Sequence, residues 1–251
     1  MHSKKWLSSI LVVALTISHV VWAEQLDGLI KRAERGDASA QLDLGNRYAS
    51  GNEVPPDYHK AEKWLRAAAN HGNRQAQYQL GMLYMHGEGM PADINEATNW
   101  FLKAAHQGDL PAQLTLGLMY ANGDGLPKHY QEAYRWFQKA AQQGHPVAQA
   151  DLGLMYIRGE GVAKNPMEAV KWFRSSAQQG NAIAQHHLGL CYYEGEGIDK
   201  DEQEAYVWFA LAAAQGDRDA HAFIYQLETE LTAEQIAVAQ KRAAAWSPNK
   251  K

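Results

Sequence analysis

Cys191 is the only cysteine of the chain, and His187 stands one helical turn before it. A thiolate and an imidazole at that spacing can share a metal ion, but a structural zinc site takes four such ligands. His186 falls on a different part of the same turn, so the pair gains no third member there. The competing reading makes Cys191 a small buried hydrophobe, because Leu83, Met119 and Met155 hold the same place at successive steps of 36 residues upstream. With one cysteine no intramolecular disulfide forms, even in an oxidising compartment. Gly123-Asp124-Gly125 opens like a dinucleotide loop, yet the third glycine and the preceding strand are missing. Ser247 and Lys250 spell S-x-x-K, a nucleophile pair in penicillin-recognising enzymes, but in a polar tail after Pro248 and without partner motifs. The chain has no H-E-x-x-H, no G-x-S-x-G and no Walker loop. Trp64, Trp100, Trp136, Trp172 and Trp208 could stack on sugars, but in-register aromatics beside alanines are assigned to the core. No catalytic residue, cofactor or metal site is therefore assigned.

Those residues recur because the chain is built from one unit. Asp109 to Gly144 reads DLPAQLTLGLMYANGDGLPKHYQEAYRWFQKAAQQG, and close copies lie on both sides. Gly36, Gly72, Gly108, Gly144, Gly180 and Gly216 close the copies at steps of 36 residues. Gly45, Gly81, Gly117, Gly153 and Gly189 keep the same step, as do the alanines from Ala40 to Ala220 and the five tryptophans. Self-similarity at this period marks an all-α solenoid, in which no unit buries its apolar face alone.

Each unit reads as two amphipathic helices. The first starts at an N-cap (Asp37, Asn73, Asp109, His145, Asn181 or Asp217), whose side chain accepts from a free first-turn N–H. Ala112, Leu116, Met119 and Tyr120 share its buried face. Gly117 costs that helix roughly 1 kcal/mol against alanine, so its recurrence implies a partner helix lying close to the backbone. Capping boxes are expected at the second helix for Asp93 with Glu96, Asn165 with Glu168 and Asp201 with Glu204. Ala133, Trp136, Phe137, Ala140 and Ala141 form its buried stripe.

The A-x-x-x-L-G-x-x-Y-x-x-G-x-G segment, the capped A-x-x-W-F-x-x-A-A helix and the closing glycine resemble the Sel-1-like repeat, a branch of the tetratricopeptide-like α-solenoids. The resemblance covers Asp37 to Gly216 as copies 37–72, 73–108, 109–144, 145–180 and 181–216, and the flanks more weakly. The first copy departs most: Arg47 replaces an apolar residue, Glu53 the second loop glycine and Leu65 the phenylalanine. The resemblance implies a right-handed superhelix of helix-turn-helix repeats that acts as an adaptor or scaffold for proteins. Some exported relatives pair cysteines between the helices of a repeat; this chain must rely on packing alone.

Both ends leave the pattern. Met1 to Ala23 has the plan of an export signal: Lys4 and Lys5, an apolar stretch from Ile10 to Ile17, and Val21-Trp22-Ala23 before the cleavage point. The apolar run is short of the ~20 residues a membrane span needs. A mature chain in the periplasm or secreted fraction is expected. Without Lys4 and Lys5 the formal charge moves from −4 to −6, which argues against a general nucleic-acid surface. Glu24 to Arg35 should cap the first copy with Leu26, Leu29, Ile30 and Ala33. Asp217 to Leu227 restarts a first helix, and Thr232 with Gln235 opens a last helix running to about Trp246, before the tail 247–251. Atypical ends of this kind cover the exposed faces of a repeat array.

Specificity must lie where copies differ. One outer row of the first helices reads Asp43, Gln79, Thr115, Asp151 and His187; the other reads Ser50, His86, Asn122, Arg158 and Glu194. Asn46, Met82, Leu118, Leu154 and Leu190 run between them as a mostly apolar rail. The resemblance puts these helices on the concave side, where a peptide or protein partner would dock. The rail either receives that partner or packs neighbouring repeats together. Both polar rows are expected to be exposed, so charge reversal at Asp151 or Arg158 should barely affect folding. The alternative from another class is a protein that binds or hydrolyses cell-wall glycan or β-lactam. A secreted factor that engages host proteins differs from the scaffold only in location.

Overall fold

The computed structural model describes residues 24–248. The export segment Met1 to Ala23 and Lys250 of the S-x-x-K match lie outside the described residues. Among the described residues there are thirteen helices and no strand. The chain divides into two compact units, Met1–Ala112 and Gln113–Lys251. The first unit holds α1 (24–34), α2 (Ala38–Ser50), α3 (Tyr58–Asn70), α4 (Arg74–His86) and α5 (Ile94–His106). The division falls within α6 (Leu110–Asn122). The second unit continues with α7 (Tyr130–Gln142), α8 (Pro146–Arg158), α9 (Pro166–Ala177), α10 (Ala182–Glu194), α11 (Glu202–Ala214), α12 (Arg218–Glu230) and α13 (Ala233–Ala245). The fold is an all-α solenoid of helical hairpins.

Within each hairpin a mid-helix glycine sets how near the two helices come. A Cβ on Gly117 would stand 2.6 Å from the Phe137 ring, and one on Gly153 would stand 2.5 Å from Phe173. Gly81 meets Phe101 at 2.6 Å and Gly189 meets Phe209 at 2.9 Å in the same sense. The ring fills the space that the missing side chain leaves, which is why these four phenylalanines are fully or almost fully buried. In the first copy Leu65 substitutes for the ring, at 2.7 Å from the corresponding Gly45 position.

The N-caps of the first helices form as expected, with Asp37, Asn73, Asp109, His145, Asn181 and Asp217 each accepting a backbone N–H from the first turn. At the second helices only half of the expected capping box forms. Asp93, Asn165 and Asp201 accept from the N–H of Glu96, Glu168 and Glu204. Their own N–H groups donate instead to the carbonyls of Tyr84, Tyr156 and Tyr192 in the preceding helix, each at 2.9 Å. With that donor already used, the glutamates turn elsewhere: Glu96 to the Trp100 indole, Glu168 to Lys171 and Glu204 to Arg242. The reciprocal box is complete at α13, between Thr232 and Gln235.

A second recurring contact joins neighbouring copies. Gln41, Gln77, Gln149 and Gln185 are buried, and each side-chain amide donates to a carbonyl eight residues earlier: Ala33, Ala69, Ala141 and Ala177. Gln77, Gln113, Gln149 and Gln185 in turn accept from Gln107, Gln143, Gln179 and Gln215, at 2.7–2.8 Å. In the first copy His71 takes that place beside Gln41. Orphaning one of these buried polar groups would cost about 1–3 kcal/mol.

The tryptophans are less uniformly core than expected. Trp100 and Trp136 are buried, whereas Trp64, Trp172 and Trp208 are only half-buried. They sit at the margin of the stripe, where Lys63, Lys103 and Lys139 lie over the rings of Trp64, Trp100 and Trp136. The centre belongs to the adjacent phenylalanines. In the first copy the two departures from the pattern meet: Arg47 forms an ion pair with Glu53. Glu53 is the one non-glycine residue with positive φ, 66°, among the described residues.

Both ends pack as caps. Leu26, Leu29 and Ile30 of α1 pack against Ala40 and Leu44. Leu227, Leu231 and Ala239 close the far end with Ile236, Ala243 and Trp246.

Replacing Gly117 by leucine should lower stability by roughly 1–3 kcal/mol, because the added side chain must displace Phe137 or separate α6 from α7. Chemical denaturation reads this directly. An unchanged midpoint would show that the ring can move aside without loss.

Candidate functional site

The first helices place the two polar rows differently. Ser50, His86, Asn122, Arg158 and Glu194 are all exposed, as expected. Asp43, Gln79, Thr115, Asp151 and His187 are only half-buried to solvent, so the expectation of an exposed row fails for them. That row lies nearer the hairpin seam, where the next helices cover part of each side chain. The rail falls between its two alternatives. Asn46, Met82, Leu154 and Leu190 are half-buried, and Leu118 is 38% exposed.

In the first unit, Asp43 is held by Arg47 one turn later, at 3.0 Å, and Ser50 donates to the Asn46 carbonyl. Neither is gathered with other candidate residues into a cavity. In the second unit the rows and the rail do converge. Leu118, Asn122, Asp151, Leu154 and Arg158 line one cleft of about 260 Å³ between α6, α7 and α8. Phe137 and Met155 line it as well, and Lys128, Tyr130 and Glu160 complete it. The last three were missed in the sequence because they belong to the loops and to the start of a second helix, not to the first-helix rows. The signal was present: Asn122, Lys128 and Tyr130 flank one short Gly-x-Gly loop, and Arg158 and Glu160 flank the next.

Asp151 is the unusual member. Its Oδ2 is shielded from solvent and has no hydrogen-bond partner, and burial pushes its carboxyl up to about 6. Charge reversal there would not be a neutral surface change. The other polar groups are engaged. Lys128 Nζ lies 3.4 Å from the Tyr130 hydroxyl, Arg158 lies 4.0 Å from Glu160, and the Asn122 amide donates to Asp124.

His187 stacks on Phe173, with ring centroids 5.3 Å apart. Burial lowers its imidazole to about 4, with His186 and Arg158 adding to the effect. The His186 Nδ1 lies 2.9 Å from Asp217 Oδ2 but out of line for a hydrogen bond. Cys191 is buried, and burial pushes its thiol up to about 12, so it stays protonated and unreactive at neutral pH. Among the described residues no group of three or more His, Cys, Asp or Glu is gathered to hold a metal ion. No helix among them is long and apolar enough to cross a membrane.

Asp151 and His187 work in opposite directions on stability. The raised carboxyl of Asp151 binds its proton in the folded chain first, so its penalty is present above about pH 6 and fades as pH falls towards 4. The depressed imidazole of His187 binds its proton in the unfolded chain first, so stability is lost as pH falls from about 6.5 to about 4. D151N should therefore melt higher than the wild type at pH 8, with the gain shrinking below pH 6. Melting curves across pH 4–8 measure this, and a gain independent of pH would contradict the assignment.

Comparison with known proteins agrees with this architecture. Five Sel1 repeats match residues 38–73, 74–109, 110–145, 146–181 and 182–217. The crystal structure of a Sel1 repeat protein from Oxalobacter formigenes is 32% identical, covers 88% of this chain and 98% of its own, and superposes with a TM-score of 0.66. The structure of c5321, a protective antigen of uropathogenic Escherichia coli with an SLR fold, is 28% identical over 88% of this chain and 55% of its own, with a TM-score of 0.58. The secretory immunoglobulin A-binding protein EsiB of Escherichia coli O6:H1 is 49% identical over 43 residues, which are 17% of this chain and 9% of that protein. The chain thus spans under a tenth of the length of this curated relative. With five repeats over most of its length, the chain belongs to the Sel1 repeat family.

Proposed function

We propose that this chain is a non-enzymatic scaffold that binds a protein or peptide partner through the first-helix face of its second unit. The observation that carries the reading is the cleft of α6, α7 and α8. There two outer-row residues, Asn122 and Arg158, and two rail residues, Leu118 and Leu154, meet the half-buried Asp151. Apolar surface with a polar edge is the form in which helical grooves receive peptides, and repeat arrays carry their binding sites on such faces. Two similar proteins are named for an immunoglobulin-binding role and for being a protective antigen. Those names support binding as the activity and exposure outside the cytoplasm as the setting. The cell envelope or the secreted fraction is the location this reading assigns.

Two measurements test it. A photo-crosslinking residue at Asn122 should trap a discrete partner in intact cells, while the same residue at exposed Lys171 on α9 should not. R158E should weaken that capture with little change in melting temperature, since exposed substitutions usually shift stability by about 0.5 kcal/mol or less. Equal adducts from both positions, or wild-type capture by R158E, would move the binding face elsewhere. For the location, intact-mass measurement of the native protein should show a chain beginning at or near Glu24. A mass retaining Met1 to Ala23 would count against cleavage and export.

A further inference from the structure

Resting on the scaffold reading, we propose that the cleft of α6, α7 and α8 is a pocket for a lysine side chain of the protein partner. Its volume, about 260 Å³, lies just below the roughly 300–1,000 Å³ typical of small-molecule sites and suits a single inserted side chain. The walls are aliphatic and aromatic, from Leu118, Leu154, Met155 and Phe137, and they match the four-carbon stem of lysine.

The polar groups decide what the tip of that side chain must be. Every donor at the rim already has an acceptor: Lys128 has the Tyr130 hydroxyl, Arg158 has Glu160, and Asn122 has Asp124. The acceptor Asp151 alone has an oxygen that no donor in the chain reaches. A buried carboxylate is stabilised by a cation that hydrogen-bonds to it, so the ligand supplies the missing donor as a positive charge. Rotation about the Asp151 Cβ–Cγ bond presents either oxygen to an ammonium group. The excess of acidic over basic residues, 28 against 24, draws a basic partner to the chain in the same sense. A glutamate side chain in the same place would set a second carboxylate beside Asp151.

Nuclear magnetic resonance titration of the full mature chain tests this with three probes: the Nα-acetyl, C-methylamide forms of lysine, norleucine and glutamate. The lysine probe should shift the resonances of Leu118 and Leu154. The norleucine probe should bind about tenfold more weakly, the factor that ~1.4 kcal/mol sets, and the glutamate probe should leave those resonances in place. D151N, checked for retained helix by circular dichroism, should erase the preference for lysine over norleucine. Equal binding of lysine and norleucine would overturn the proposal in favour of a purely apolar pocket. Preference for glutamate would overturn it in favour of an anion site on Arg158 and Lys128. Absence of any shift at Leu118 and Leu154 would overturn the pocket itself, as would an undiminished lysine preference in D151N. The wild-type comparison stands alone if D151N does not fold. Each of these failures leaves partner capture at Asn122 unaffected, so it is distinguishable from failure of the scaffold reading.

Discussion

The contact between a mid-helix glycine and an aromatic ring governs how each hairpin closes. Where Gly117 faces Phe137, or Gly153 faces Phe173, no side chain fits between backbone and ring. That close approach leaves the second helix near enough for its N-cap N–H to reach a tyrosine carbonyl of the first, as Asn165 reaches Tyr156. A single van der Waals constraint thus sets both the packing distance and the hydrogen bond that starts the next helix. The glutamates at the third helical position lose their usual capping partner as a result. They become available for contacts such as Glu96 with Trp100.

Stacking one hairpin on the next uses different chemistry. The glycine–phenylalanine contact is local to a hairpin and apolar, and apolar packing alone tolerates sliding. The glutamine ladder does not. The Gln149 amide donates to the Ala141 carbonyl near the end of α7, and its oxygen accepts from Gln179 beyond the end of α9. Displacing either neighbour by one residue would strand a donor and an acceptor in the interior. Buried polar groups of this kind hold a register that close-packed alkyl groups would not. The ladder is satisfied in every copy for which its partners are named above.

Much of this was legible in the sequence, and the reasons are physical. Gly117 and Phe137 recur because neither can change without the other, so their step of 36 residues exposes the hairpin. Caps such as Asp37 and Asn181 are local, and local interactions are read within a few residues. The failures were all questions of which neighbour arrives first. The capping box at Asp93 looked complete from spacing alone, but the Tyr84 carbonyl had already taken its donor. Helical phase placed Asp151 and Arg158 on one outer face, yet the helices packed against α8 shield the first and leave the second in water. The rings of Trp172 and Trp208 share a phase with Trp136 but not its burial. The glutamines recurred in the sequence as regularly as the glycines. Their polarity concealed them, since a polar residue beside the buried stripe reads as surface unless its two partners are known.

The cleft shows the cost of departing from that regular frame. The copies conserve the glycine, phenylalanine and glutamine positions, where each side chain is matched by its neighbour. At the row that carries Asp43, Gln79, Thr115, Asp151 and His187, the chemistry changes from copy to copy while the burial stays intermediate. Asp43 meets its charge partner within its own helix, and His187 meets an aromatic face. Asp151 meets neither, and its carboxyl is destabilised in the charged form by the same covering helices that give the array its rigidity. Sites that bind commonly hold groups that weaken the unliganded fold, because a ligand can satisfy them and the frame cannot. The frame therefore limits where such a group can sit. It must be close enough to the seam to be shielded, and it must border a row that remains open. In the second unit Asp151 satisfies both conditions, with Arg158 and Leu118 at the open side of the same cleft.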